Sequence, residues 1–206
     1  QAAGRFVRAH GRHFDRLCIG PRVRHRDTAQ GLIEGWGVQP EHCATPELDE
    51  FADSHGLLTA VHVLAAADAA PPRGDHVDSQ AGPPVADLQR LLRRIGAWAA
   101  GDLVLQGGPT LREFRTRVGL WLRSQLHEDQ RHGAPGQARR TLAVTSGGVV
   151  AAAMCEVLEL PDSHFLPLVS QVRNASFTEL MSWRERPMLV SFIGTAHLPA
   201  ELLSAI

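Results

Sequence analysis

The chain has 206 residues, 44% of them hydrophobic, with 21 basic and 22 acidic side chains and a formal net charge of -1. That length supports one domain with a substantial core, and the even charge balance argues against nucleic-acid and anionic-membrane partners, which need a net basic footprint. No apolar run reaches membrane-spanning length and no charged-then-apolar secretion pattern opens the chain, so a cytoplasmic protein is expected, with small anionic ligands left open. Every basic residue is Arg, a bias from which no function follows. Cys18, Cys43 and Cys155 form no C-x-x-C pair and read as free thiols, buried at positions 18 and 155. The chain opens on Gln1 rather than Met, which reads as a fragment or as a start after a removed segment.

Residues 1–12 have the composition of a short helix, with Ala3, Phe6 and Val7 on one face, and residues 13–20 turn into a short strand. A second helix is expected over 27–36. The pattern over 45–70 is weak, although the apolar stretch 57–67 is compatible with a helix, and residues 71–84 read as a flexible loop bounded by proline pairs. Two clear amphipathic helices follow: Val85, Leu88, Leu91, Leu92, Ile95 and Trp98 recur at helical spacing, as do Leu111, Phe114, Val118, Trp121, Leu122 and Leu126. After a loop over 133–140, a short apolar run from Leu142 enters a Ser-Gly-Gly turn and leaves as an Ala-rich helix ending near Leu160. Residues 161–171 are compatible with another helix, and 175–183 and 188–192 read as two strands joined by a charged turn. Strands distributed among helices indicate an α/β sandwich of one domain, 1–206, without internal repeats.

Five places carry candidate chemistry. Gly147 and Gly148 let the backbone approach a ligand closely, and the first amides of the helix they open point, with the positive end of its dipole, at whatever sits above Ser146. The run from Gly20 to Ala29 places three arginines ahead of a helix, and a guanidinium fork matches phosphate oxygens. Glu50, in Leu48-Asp49-Glu50, is a candidate proton donor. Asn174, the single asparagine, is a candidate turn residue. His197, in the TAHLP segment after the last strand, is a candidate catalytic histidine. Each has a plainer structural explanation as a surface charge, cap or packed ring.

Taken together these residues resemble the histidine phosphatase superfamily, also called phosphoglycerate mutase-like. Gly20-Pro21-Arg22-Val23-Arg24 with Thr28-Ala29 is similar to that family's S-P-L-x-R-x-x-x-T-A pattern, Leu48 and Glu50 to its L-x-E segment, and Ser146-Gly147 to its late His-Gly turn. The stretches VRNASFTEL and LVSFIGTAHLP look like a bacterial branch carrying Ser-Gly-Gly at that turn. The resemblance implies a three-layer α/β/α sandwich with a mostly parallel central sheet. It implies hydrolysis of a small phosphorylated substrate through a phosphohistidine, with no metal or cofactor. Arg24, Ser146, Gly147 and Gly148 would hold the phosphoryl group, and Glu50 would act as acid and then base.

Two departures are evident. The family's Arg-His-Gly motif, whose histidine attacks phosphorus, is absent from residues 1–206, and His10-Gly11 is too near Arg24 to be that motif, so His10 is placed near the end of the first helix. The second is Ser146 in place of the second histidine, which His197 or another arginine is expected to replace in part. The first strand would then be missing from inside the sheet, leaving a truncated and unstable domain. The alternative from another class is a catalytically dead member that binds phosphate or a partner. An acyl hydrolase would need Gly where Val144 stands, and no nucleotide-binding glycine motif is present. The substrate is not legible, and the oligomeric state is open, a homodimer included.

Overall fold

The computed structural model describes residues 1–52, 85–132, 139–184 and 186–203. Helix α1 (Ala2–Ala9) leads through strand β1 (Arg16–Ile19) and helix α2 (Val23–Trp36) to strand β2 (His42–Ala44) and a 3-10 turn, Pro46–Leu48. Helices α3 (Val85–Ala100) and α4 (Leu111–His132) precede strand β3 (Thr141–Val144), helix α5 (Gly147–Val157) and the short helix α6 (Phe165–Val169). Strands β4 (Phe177–Trp183) and β5 (Arg186–Gly194) and a 3-10 turn, Ala200–Leu202, close the described chain.

The central sheet runs β2-β1-β3, all parallel, with Cys18 opposite both Cys43 and Ala143. Strands β4 and β5 pair antiparallel as a separate hairpin. Among the described residues no strand pairs with the edge of β3 that faces away from β1.

Alternation along the strands divides the core into two layers. Leu17, Leu142 and Val144 pack with Val7 of α1 and with Ala29, Leu32 and Trp36 of α2. The two helices approach until backbone meets backbone: a Cβ on Gly4 would lie 2.0 Å from the Leu32 carbonyl oxygen, and one on Gly35 would lie 2.2 Å from that of Gln1. Glycine is the residue that permits this crossing.

Cys18 faces the opposite layer, where Ile95, Trp98, Phe114, Val149 and Phe165 bring α3 to α6 together around Phe51. Phe51 stacks on Trp98 with centroids 4.1 Å apart, and Phe114 meets Phe165 edge to face. Such pairs add about 0.5–1.5 kcal/mol each beyond the area they bury. Trp98 Nε1 donates to the Pro109 carbonyl at 2.9 Å, so the indole is buried without an orphaned donor. The hairpin is tied to the first layer by Phe6 against Phe177 and by an Arg12–Glu179 ion pair of 3.0 Å.

The three-layer α/β architecture matches the sequence reading. Helix α2 starts at Val23, earlier than the expected residue 27, so Arg24 lies inside its first turn. Strand β2 is an addition, because three residues with one half-buried side chain between two exposed ones carry no readable period. His10 follows the last residue of α1, as expected, and donates through Nδ1 to the Phe6 carbonyl, 2.9 Å away. Cys18 and Cys155 are buried free thiols and Cys43 is half-buried, with burial pushing the Cys18 thiol up to about 11. The expected helix over 57–67, the loop 71–84 and most of the loop 133–140 lie outside the described residues.

Candidate functional site

The carboxyl ends of β1 and β3 deliver their following turns to the same place. Gly20, just after β1, donates its amide to the Val144 carbonyl at 3.0 Å, which fixes the two turns side by side. Arg22 precedes α2, Arg24 and His25 occupy its first turn, and Ser146 is the N-cap of α5.

Arg24 reaches across with Nε 3.1 Å and Nη2 2.8 Å from Ser146 Oγ. His25 Nε2 lies 2.5 Å from the same oxygen. No carboxylate among the described residues forms an ion pair with Arg24, which leaves an exposed guanidinium beside the start of a helix.

Glu50 approaches from the other side. Its Oε2 accepts from the Gly148 amide at 3.0 Å and its Oε1 from the Phe51 amide at 3.0 Å. The fit depends on Gly148, where a Cβ would lie 2.1 Å from Glu50 Oε1 and 2.7 Å from Phe51 Cε1. Although Glu50 as a whole is half-buried, its carboxyl group is enclosed there, and burial raises its pKa against the opposing pull of the two amides, Arg24 and Arg22.

The turn that carries Glu50 is held from three elements. Arg22 donates through Nε to Asp49 Oδ1 at 2.6 Å and through Nη2 to the Glu50 carbonyl at 3.0 Å. Arg117 of α4 donates through Nη2 to the Asp49 carbonyl, with its guanidinium 5.1 Å from the centre of the Phe114 ring. Thr145 Oγ1 donates to the Leu48 carbonyl at 2.9 Å. The carboxyl group is thereby fixed relative to Ser146 by interactions that do not involve its own oxygens.

Of the residues singled out in the sequence, Arg24, Ser146, Gly148 and Glu50 come together, with Gly147 in the same turn. The Gly148 amide is occupied by Glu50, so it is not a free donor for a phosphate oxygen in this arrangement. His197 does not join them. Its ring lies between Phe6 and Phe177, with centroids 5.1 and 4.9 Å away, and its Nε2 is 2.9 Å from the Ala175 carbonyl. These partners belong to α1, to β4 and to the turn ahead of it, and none of them is Ser146 or Arg24. Asn174 lies in the turn ahead of β4.

His25 is the functional candidate that the motif reading passed over. It is 2% exposed, and it shares a helical stripe with Ala29, Leu32 and Trp36, a spacing that places it on the inner side of α2. That stripe was the available signal. Among the described residues no three His, Cys, Asp or Glu side chains converge as metal ligands, and no helix is long and apolar enough to cross a membrane.

No family model matches the sequence, and no curated protein matches it by sequence. Solved structures do match. The chain is similar to a phosphoserine phosphatase mutant from Entamoeba histolytica in complex with phosphoserine, with 15% identity, a TM-score of 0.60, and coverage of 97% of this chain and 83% of that one. It is also similar to a mycobacterial glucosyl-3-phosphoglycerate phosphatase with inorganic phosphate, at 20% identity, a TM-score of 0.59 and coverage of 96% and 86%. The alpha-ribazole phosphatase of Shigella flexneri aligns at 16% identity with a TM-score of 0.58, over 94% of this chain and 80% of that one. Over nearly its whole length, the chain therefore has the phosphoglycerate mutase-like fold of the histidine phosphatase superfamily.

Proposed function

We propose that this protein is a cytoplasmic phosphomonoester hydrolase of the histidine phosphatase type, acting on a small phosphorylated substrate through a phosphohistidine. The observation that carries the reading is the juxtaposition of an exposed guanidinium, Arg24, with Ser146 at a helix start and with the Glu50 carboxyl group. Arg24 and the positive end of α5 hold the phosphoryl oxygens. Glu50, kept protonated more readily by burial, gives its proton to the leaving oxygen and later takes one from water.

The nucleophilic imidazole belongs, in this proposal, on a strand preceding Gln1. Helices α1 and α2 occupy one layer, and the crossover from β1 through α2 to β2 leads away from β3. A right-handed crossover entering β1 through α1 in that same layer must start on the β3 side. Because β3 already occupies the place beside β1, the preceding strand takes the outer edge of β3, next to Ser146 at its carboxyl end.

The test is to express the protein with the residues encoded in frame ahead of Gln1 and to assay it on p-nitrophenyl phosphate, trapping acid-labile phosphohistidine by mass spectrometry. Turnover with a phosphohistidine on the added segment is the expected result. Ser146 in place of a second histidine favours one other reading, a phosphate-binding member without catalysis. Inorganic phosphate binding with no turnover by the extended protein would establish that reading instead.

A further inference from the structure

A serine at an N-cap ordinarily accepts from an amide of the first helical turn. Ser146 does not: its hydroxyl makes no capping bond, and the Gly148 amide is held by Glu50. Glu50 has taken over the capping role, and Ser146 Oγ is left facing three side-chain nitrogens.

Those nitrogens constrain the hydrogen. Arg24 Nε and Nη2 can only donate, so both contacts fall on the lone pairs of Oγ. The serine has one proton, and the direction left for it is His25 Nε2, 2.5 Å away. In that arrangement His25 presents Nε2 as its bare nitrogen and carries its proton on Nδ1, a buried atom with no hydrogen-bond partner among the described residues, facing Gly20, where a Cβ would lie 2.2 Å away. Burial, and then the charge of Arg24, lower the pKa of His25 and favour its neutral form, with Arg22 acting in the same direction and the Gly20 backbone and Asp49 opposing. The hydroxyl thus has a neutral base on its proton, the condition that activates a serine, while the two N–H groups of Arg24 on its oxygen ease loss of that proton and must free a lone pair for attack.

We propose that Ser146 and His25 are a nucleophile and base, and that Ser146 Oγ takes a phosphoryl-type group covalently from a phosphorus ester with a good leaving group. The Oγ–P bond forms as the bond from phosphorus to the leaving group breaks. The electron pair departs with the leaving group, and the serine proton moves to His25 Nε2. Arg24 turns from Oγ to the phosphoryl oxygen as charge develops there. This goes beyond the hydrolase reading, since a serine adduct forms without a histidine nucleophile.

The experiment treats the chain with an alkyl fluorophosphonate, whose leaving group is fluoride, and maps the adduct by intact mass and peptide mass spectrometry. One adduct per chain on Ser146 is expected, lost in Ser146→Ala and slowed at least about 100-fold in His25→Gln, which hydrogen-bonds but takes up no proton. Arg24→Gln, at an exposed position, should slow labelling about tenfold or more and keeps the test decisive should His25→Gln fail to fold. No adduct on cooperatively folded protein, an adduct confined to other residues, or unchanged rates in both His25→Gln and Arg24→Gln would overturn the proposal. Inorganic phosphate added as a protectant separates the two readings. An unprotected adduct supports the serine pair and removes the phosphate cradle, whereas phosphate binding without any adduct removes the pair and keeps the cradle.

Discussion

The start of α2 after β1 and the segment around the β4–β5 hairpin each hold a histidine whose pKa burial lowers, and they use it in different ways. At the first, His25 is surrounded by Arg22, Arg24, Asp49 and Ser146, and its Nε2 meets a side-chain hydroxyl. At the second, His197 is sandwiched by Phe6 and Phe177, and its Nε2 meets a backbone carbonyl. The same residue with the same direction of shift is a reactive group in one place and a packing piece in the other. What separates them is the identity of the hydrogen-bond partner, a group that can exchange a proton against one that only accepts.

That contrast can be broken or sharpened by substitution. The largest effect is expected at Gly148→Ala, because the new methyl group meets the Glu50 carboxyl and the Phe51 ring at once. Overpacking of this kind costs about 1–3 kcal/mol, and urea unfolding should show it together with weakened phosphate binding. Wild-type stability in Gly148→Ala would mean that Glu50 sits elsewhere.

Next in size is the pH dependence carried by Glu50. Its pKa is raised in the fold, so the native state binds this proton more tightly than the unfolded chain. Its contribution to stability is therefore full below the unfolded value of about 4.3 and is lost as pH rises through the folded value. The stability of wild type minus that of Glu50→Gln, measured by urea midpoints from about pH 4 to pH 8, should fall with rising pH. A flat difference would refute the enclosed carboxyl group.

The smallest effect is expected at His197→Ala. Loss of one hydrogen bond and two ring contacts should lower stability by about 1 kcal/mol. Phosphate affinity, measured by calorimetry, should stay at the wild-type value. A drop in affinity would return His197 to the site and erase the contrast between the two regions.

The reading of the sequence succeeded where short-range chemistry decides the outcome. The Ser-Gly-Gly turn, the arginine run and the two amphipathic helices announce themselves within a dozen residues, and the structure places all of them as strand ends, helix starts and core stripes. It is silent on which distant segments meet. His197 follows β5, yet nothing in TAHLP records that Phe6 and Phe177 would enclose it. His25 was hidden for the opposite reason: its helical stripe reads as core, and only the register of β1 beside β3 reveals that the core position borders Ser146. The clamp of Arg22 and Arg117 on the Asp49–Glu50 turn was equally out of reach, since it joins three elements.

The glycine crossing of α1 and α2 has an evolutionary consequence. Where helices meet through side chains, a substitution on one selects for a compensating change on the other. Here Gly4 and Gly35 leave no side chain at the closest point, so the spacing of these helices is inherited from the backbone. Arg5 and Arg8 are exposed, and α1 can drift freely at such positions while Gly4 and the fully buried Val7 stay fixed. Related chains should therefore diverge at the exposed positions of this helix and still hold it at one height above the sheet.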